Sequence, residues 1–180
     1  MEKRWKKSSA SWLKQTHVWV RGDTKHRDGE VAEQQQTLLK YAKLFGVPLG
    51  VQLYDWANAT VYRSADGNLS TSYTFPSRWP IQPGWDWKAL KDRGIRVLPY
   101  VNSLQSNTGD ASWVADHGEA IAIRDVDGNT LAGEDGSTPI CASQVSWHAR
   151  MVNASVRLLQ AGASGVYMDQ SGTQAQMPCF

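Results

Sequence analysis

Four short apolar runs in this chain end on residues that could do chemistry. HVWVR (17–21) ends at Arg21, LGVQLY (49–54) leads into Asp55-Trp56, IRVLPYV (95–101) carries Tyr100 and ends at Asn102, and Val166-Tyr167-Met168 ends at Asp169-Gln170. Trp and Tyr faces stack on the apolar faces of sugar rings, while Arg, Asp, Asn and Gln hydrogen-bond hydroxyls. Cleaving a glycosidic bond needs one carboxylate at an oxocarbenium-like centre and a second carboxylic acid for the leaving oxygen. Asp169 directly follows an apolar run, so a rigid element would fix it. On spacing alone it is equally a carboxylate that caps the next turn. Asp55 is the next carboxylate of interest.

The elements that would hold these residues alternate. Residues 17–21, 49–54, 95–101 and 166–168 are rich in β-branched and aromatic types and predict strands. Between them, 30–45 predicts a helix through Val31, Leu38, Tyr41, Ala42 and Phe45, stopped by Gly46. A shorter helix is predicted over 85–93, and a helical turn near 111–117. A long helix is predicted over 143–161, capped by Ser143, with Val145, His148, Met151, Val152, Val156 and Leu159 as its apolar face. AIAIRDVDGNTLAG (120–133) has two alternating runs around Asp127-Gly128 and reads as a hairpin. Helices between strands imply parallel pairing with right-handed crossovers. In such folds ligands bind at the carboxyl ends of the strands, where the polar residues fall.

Composition narrows the function. The chain has 180 residues, 41% hydrophobic and 20% charged, with nine Trp, which excludes a disordered or collagen-like chain. No run of roughly 18 apolar residues exists, so no membrane partner is expected. Residues 1–27 hold eight Lys/Arg against two acids, and the rest of the chain is net negative. That start reads as a solvated, flexible segment (1–16), not as a nucleic-acid arm, because no RNA-binding or zinc-finger spacing accompanies it. It has no apolar stretch of a signal peptide, so a cytoplasmic address is expected if the N-terminus is genuine. Four scattered His and two Cys (Cys141, Cys179) make no metal framework, and no metal or cofactor is expected. The two cysteines read as a disulfide or as buried thiols. Asp125, Asp127 and Asn129 alternate as in a calcium loop, but Gly136 stands where the loop needs Glu, which favours a turn. Trp79, Trp85 and Trp87 wall a cleft or anchor the long segment beside them. The Asn58, Asn68 and Asn153 triplets match the glycosylation pattern at its chance frequency.

GVYMDQ (165–170) resembles the strand-four signature of (β/α)8 glycoside hydrolases of the α-galactosidase/α-glucosidase-like superfamily, in which the Asp is the nucleophile. The likeness extends, over 17–180, to an uncharacterised glycoside-hydrolase-like family, a domain of unknown function. It rests on HVWVRGD (17–23), VQLYDW (51–56), GIRVLPYVN (94–102), the Cys141 segment before the Trp147 helix, and GVYMDQSGTQAQMPCF (165–180). The resemblance implies an α/β fold: a partial (β/α)8 TIM barrel of about four βα units, with a β-hairpin inserted after strand three. A closed barrel takes roughly 200–250 residues or more, so residues 17–180 are expected to form its N-terminal half.

The implied activity is glycosidic hydrolysis with retention, with Asp169 as nucleophile. Arg21, Asp55, Trp56, Tyr100, Asn102 and Gln170 would position a carbohydrate substrate. The general acid/base of that superfamily lies on a later strand and has no counterpart in this sequence. The 180 residues alone are therefore expected to be inactive, and an uncovered half barrel is expected to self-associate. A non-catalytic carbohydrate-binding or scaffold module would use the same strand ends. An α/β protein acting on an unrelated small molecule is the third reading.

Overall fold

A computed structural model describes residues 10–23, 30–54, 56–57, 81, 83–108, 113, 117–132 and 137–169. Within the basic segment, Ser11–Gln15 forms a five-residue helix, α1. The elements that follow are β1 (Val18–Asp23), α2 (Glu30–Phe45), β2 (Leu49–Tyr54), α3 (Trp87–Asp92), β3 (Ile95–Asn102), β4 (Gln105–Asn107), β5 (Ser137–Pro139), α4 (Val145–Gln160) and β6 (Tyr167–Asp169). A 3₁₀ turn lies at Gly118–Ala120.

Strands β1, β2, β3 and β6 form one parallel sheet in that order. The register aligns Asp23 with Tyr54, Leu53 with Pro99, Tyr100 with Tyr167, and Asn102 with Asp169. Parallel neighbours need crossovers, and α2 and α3 occupy the first two. The α/β class with a parallel sheet, expected from the alternating runs, is what the chain adopts. β4 and β5 pair antiparallel in a separate ribbon, and an antiparallel bridge joins Arg124 to Thr130 across a turn at 125–128.

Alternation along the strands gives the sheet two different faces. Leu49, Val51 and Leu53 of β2 are fully buried, as are Ile95, Val97 and Val101 of β3 within 2%. They pack with Leu38 of α2, Trp87 and Leu90 of α3, and Trp147, Met151 and Leu158 of α4. Each such side chain contributes about 1.5–3 kcal/mol relative to exposure. The second face carries Trp19, Arg21, Gln52, Tyr54, Arg96, Leu98 and Tyr100, and most of these are half-buried or exposed. Trp19 lies across the sheet over Gly50. A Cβ at Gly50 would come 2.4 Å from its ring, so only glycine fits there.

Two helix faces differ from expectation. In α4 the buried residues are Trp147, Met151, Ala154 and Leu158, whereas Val145, Val152, Val156 and Leu159 are exposed. The two sets lie on opposite sides, and the Trp147 side faces the sheet because it buries more area. Similarly α2 buries Val31 and Leu38, while Tyr41 and Phe45 are exposed and touch each other at 6.2 Å. Ser143 does not cap α4. Gln144 holds the cap position without a side-chain bond, and Ser143 Oγ lies 3.0 Å from Cys141 Sγ. In α3 the cap is Asp86, whose carboxylate accepts from the Ala89 N–H at 2.9 Å. Trp87 is buried edge-on against Trp56 at 6.4 Å, with Trp85 beside it, so this cluster anchors the core. Trp79 lies outside the described residues.

Candidate functional site

The carboxyl edge of the sheet gathers a tyrosine row. Tyr54, Tyr100 and Tyr167 stand side by side on β2, β3 and β6, as the register requires. The Tyr54 and Tyr100 rings stack with centroids 4.6 Å apart. Tyr167 meets Tyr54 edge-on at 6.2 Å and Tyr100 at 5.6 Å. From β1, the Arg21 guanidinium carbon lies 4.2 Å from the Tyr54 ring centroid. Cation and ring quadrupole attract in this geometry.

Asp169 ends β6, half-buried, two residues after Tyr167 and on the same face. Its charge reaches Tyr54. Burial pushes the Tyr54 phenol above its ordinary value. A hydrogen bond and charge interaction with Tyr167 push the same way, Arg21 opposes, and Asp169 adds a smaller upward push. Asp169, Tyr167, Tyr54 and Arg21 thus form one electrostatic neighbourhood.

Asn102 and Trp56 support this edge from beneath. Trp56 is 2% exposed, and its indole N–H donates to the Tyr100 carbonyl at 2.7 Å. Asn102 is buried. Its amide nitrogen donates to the Tyr100 hydroxyl at 3.3 Å, and its Oδ1 accepts from the N–H groups of Leu104 and Gln105 at 3.0 Å each. The edge therefore brings together Arg21, Trp56, Tyr100, Asn102 and Asp169. Asp55 and Gln170 lie outside the described residues, as do Asn58 and Asn68.

Sequence reasoning passed over Tyr54, Tyr167 and Ser103. The first two were readable. Tyr54 ends its apolar run, and Tyr167 shares a face with Asp169 by two-residue alternation. Ser103 gave no signal, because its partner is 66 residues away.

Two polar features lie off the edge. Asp125 accepts from Asp127 N–H, Asn129 N–H and Asn129 Nδ2, an arrangement of a closed turn. The Asn129 bonds are the main cause that holds the Asp125 carboxyl below its ordinary pKa. Cys141 is disulfide-bonded, and the sequence holds one other cysteine, Cys179, outside the described residues.

Comparison with known proteins gives three kinds of match. A Bacteroides thetaiotaomicron protein named "Putative glycoside hydrolase" is 27% identical over an alignment of 180 residues. The alignment covers 95% of this chain, which spans only 24% of that relative's length. Among solved structures, a noncanonic maltogenic alpha-amylase, AmyB from Thermotoga neapolitana, superposes with a TM-score of 0.65 at 15% identity, covering 91% of this chain and 41% of that one. The alpha-N-acetylgalactosaminidase NagBb from Bifidobacterium bifidum gives 0.65 at 15% identity, covering 93% and 30%. A GH36 alpha-galactosidase, AgaA from Geobacillus stearothermophilus, gives 0.60 at 14% identity, covering 89% and 22%. These likenesses establish the shared α/β fold. The model of the domain of unknown function DUF6259 matches residues 1–180. The chain belongs to the DUF6259 family, a domain of unknown function.

Proposed function

We propose that residues 17–180 are the N-terminal half of a (β/α)8 glycoside hydrolase, and that the whole protein cleaves glycosidic bonds with retention of configuration. One observation carries this reading: Asp169, Tyr167, Tyr100, Tyr54 and Arg21 converge on the carboxyl edge of a parallel sheet. The names of the relatives support a carbohydrate substrate.

Asp169 is the nucleophile. Its carboxylate attacks the anomeric carbon as the bond to the leaving oxygen breaks, and the leaving oxygen takes a proton from a second carboxylic acid. Water then hydrolyses the glycosyl ester. The acid is expected from a later strand of a complete barrel. Arg21, Asp55, Tyr100 and Gln170 position the sugar. Trp56, buried beneath Tyr100, contributes through that residue's backbone, and Asn102 through its hydroxyl. A half barrel exposing the Trp19 face is also expected to self-associate.

The test uses the intact protein on a panel of 4-nitrophenyl glycosides. Asp169→Asn should lower kcat by at least about 10³-fold without unfolding the domain. Undiminished turnover would remove Asp169 from the chemistry. The second reading, a carbohydrate-binding module, is favoured by the predominance of tyrosines at the edge. It predicts that Asp169→Asn keeps sugar binding and that the parent turns nothing over.

A further inference from the structure

We infer that Ser103 is the positioning residue for Asp169, a role that rests on the catalytic reading of that carboxylate. β6 is short, and it pairs with β3 over three residues that end at Asn102 and Asp169. Met168, on its helix-side face, is 40% exposed, so packing there holds the strand weakly. The last peptide of β6 is instead gripped by one residue beyond the end of β3. Ser103 Oγ donates to the Asp169 carbonyl at 2.7 Å, and the Ser103 N–H donates to the same oxygen at 3.3 Å.

Ser103 is itself held from two sides. Its carbonyl accepts from the indole N–H of Trp147 at 2.7 Å, and Trp147 is buried on α4. The Asn102 amide oxygen fixes the turn that follows by accepting from Leu104 and Gln105. The chain of contacts thus runs from a core tryptophan, through a buried serine, to the backbone of the candidate nucleophile. The pairing with β3 holds the amino side of Asp169 and the Ser103 bonds hold its carbonyl, so together they restrict rotation about its Cα–C bond and with it the direction of its Cα–Cβ bond. Attack on a sugar carbon is sensitive to that direction, since a misplacement of about 1 Å can cost 10²-fold in rate.

The experiment compares Ser103→Ala, Ser103→Thr and Asp169→Asn in the intact protein, by crystal structure and by turnover of the 4-nitrophenyl glycoside panel. Ser103→Ala should shift the Asp169 carboxylate by about 1 Å and lower kcat by roughly 10–100-fold, with KM unchanged. Ser103→Thr keeps a hydroxyl and should restore both. If Ser103→Ala does not fold, Trp147→Phe removes the grip on Ser103 and should give the same selective loss in kcat. An inactive Asp169→Asn beside a Ser103→Ala with normal kcat overturns the positioning role alone. An active Asp169→Asn overturns the catalytic reading instead. The grip is then judged by the carboxylate's position, and an unmoved Asp169 in Ser103→Ala overturns it.

Discussion

Arg21 and Tyr54 form a stacked pair, the guanidinium carbon 4.2 Å from the ring centroid. β1 and β3 flank β2, so Arg21 and Tyr100 approach the Tyr54 ring from opposite sides. Both faces of Tyr54 are therefore occupied, and its hydroxyl side is engaged by Tyr167. Tyr100 has one face on Tyr54 and Tyr167 against it edge-on. This row is a prepacked wall more than a set of independent stacking platforms.

The wall has a signature in alkali. Burial raises the Tyr54 phenol above 10.0 and Arg21 pulls it down. The folded value is the raised one, so the neutral phenol favours folding. That contribution is complete below about pH 10 and is lost as pH climbs through the folded value. Absorbance titration near 295 nm, with Tyr54→Phe as the reference, isolates this group. Replacing Arg21 with Ala should move the titration still higher. A downward move would contradict the stacked pair.

Asp125 should show the opposite dependence. Its carboxylate is held below the ordinary value, chiefly by the two Asn129 bonds. The folded value is the lower one, so its contribution is present above the unfolded value near 4 and fades as pH falls through the folded value. Asp125→Ala should lower the melting temperature at pH 7, and the gap to the parent should close towards pH 2. A gap independent of pH would mean that the carboxylate's charge plays no part in the turn.

Much of the architecture was legible because it is local. Asp127-Gly128 specifies a turn, and the apolar runs mark every strand of the parallel sheet. That Arg21, Tyr100, Asn102 and Asp169 fall near the carboxyl ends of their strands was legible for the same reason, because each closes or follows an apolar run. What stayed hidden is long-range. The Ser103 bond to Asp169 and the Trp56 bond to the Tyr100 carbonyl join residues far apart in sequence, where period and composition carry no information. Ser143 failed as a cap for a different, local reason: its hydroxyl lies against Cys141 Sγ, two residues away, and Gln144 holds the cap position.

Gly50 tests the packing of the second face. Any side chain there meets Trp19, whose ring atoms would stand 2.4–2.6 Å from the new Cβ. The indole ring is rigid, so it must swing away as a whole. Gly50→Ala should cost about 1–3 kcal/mol in chemical denaturation. Adding Trp19→Ala to Gly50→Ala should return most of that loss, because the clash disappears. Additive losses in the double variant would show that the two side chains do not meet.

The two apolar sides of α4 give the sharpest test of helix orientation. The apolar face expected from the sequence, Val145, His148, Met151, Val152, Val156 and Leu159, is buried only at Met151; its members Val145, Val152, Val156 and Leu159 repeat at intervals of seven, four and three. Yet these four are 44–79% exposed, while Trp147, Met151, Ala154 and Leu158 are at most 8% exposed. Both stripes satisfy the helical period, so period cannot choose between them. Size chooses: the stripe holding Trp147 and Met151 joins the buried core, and the Trp147 N–H reaches the Ser103 carbonyl just beyond β3. Met151→Ala should therefore cost about 2–5 kcal/mol. Val152→Lys, one residue along, should change stability by no more than about 0.5 kcal/mol. Urea melts of the two variants decide the orientation, and a larger loss from Val152→Lys would reverse it.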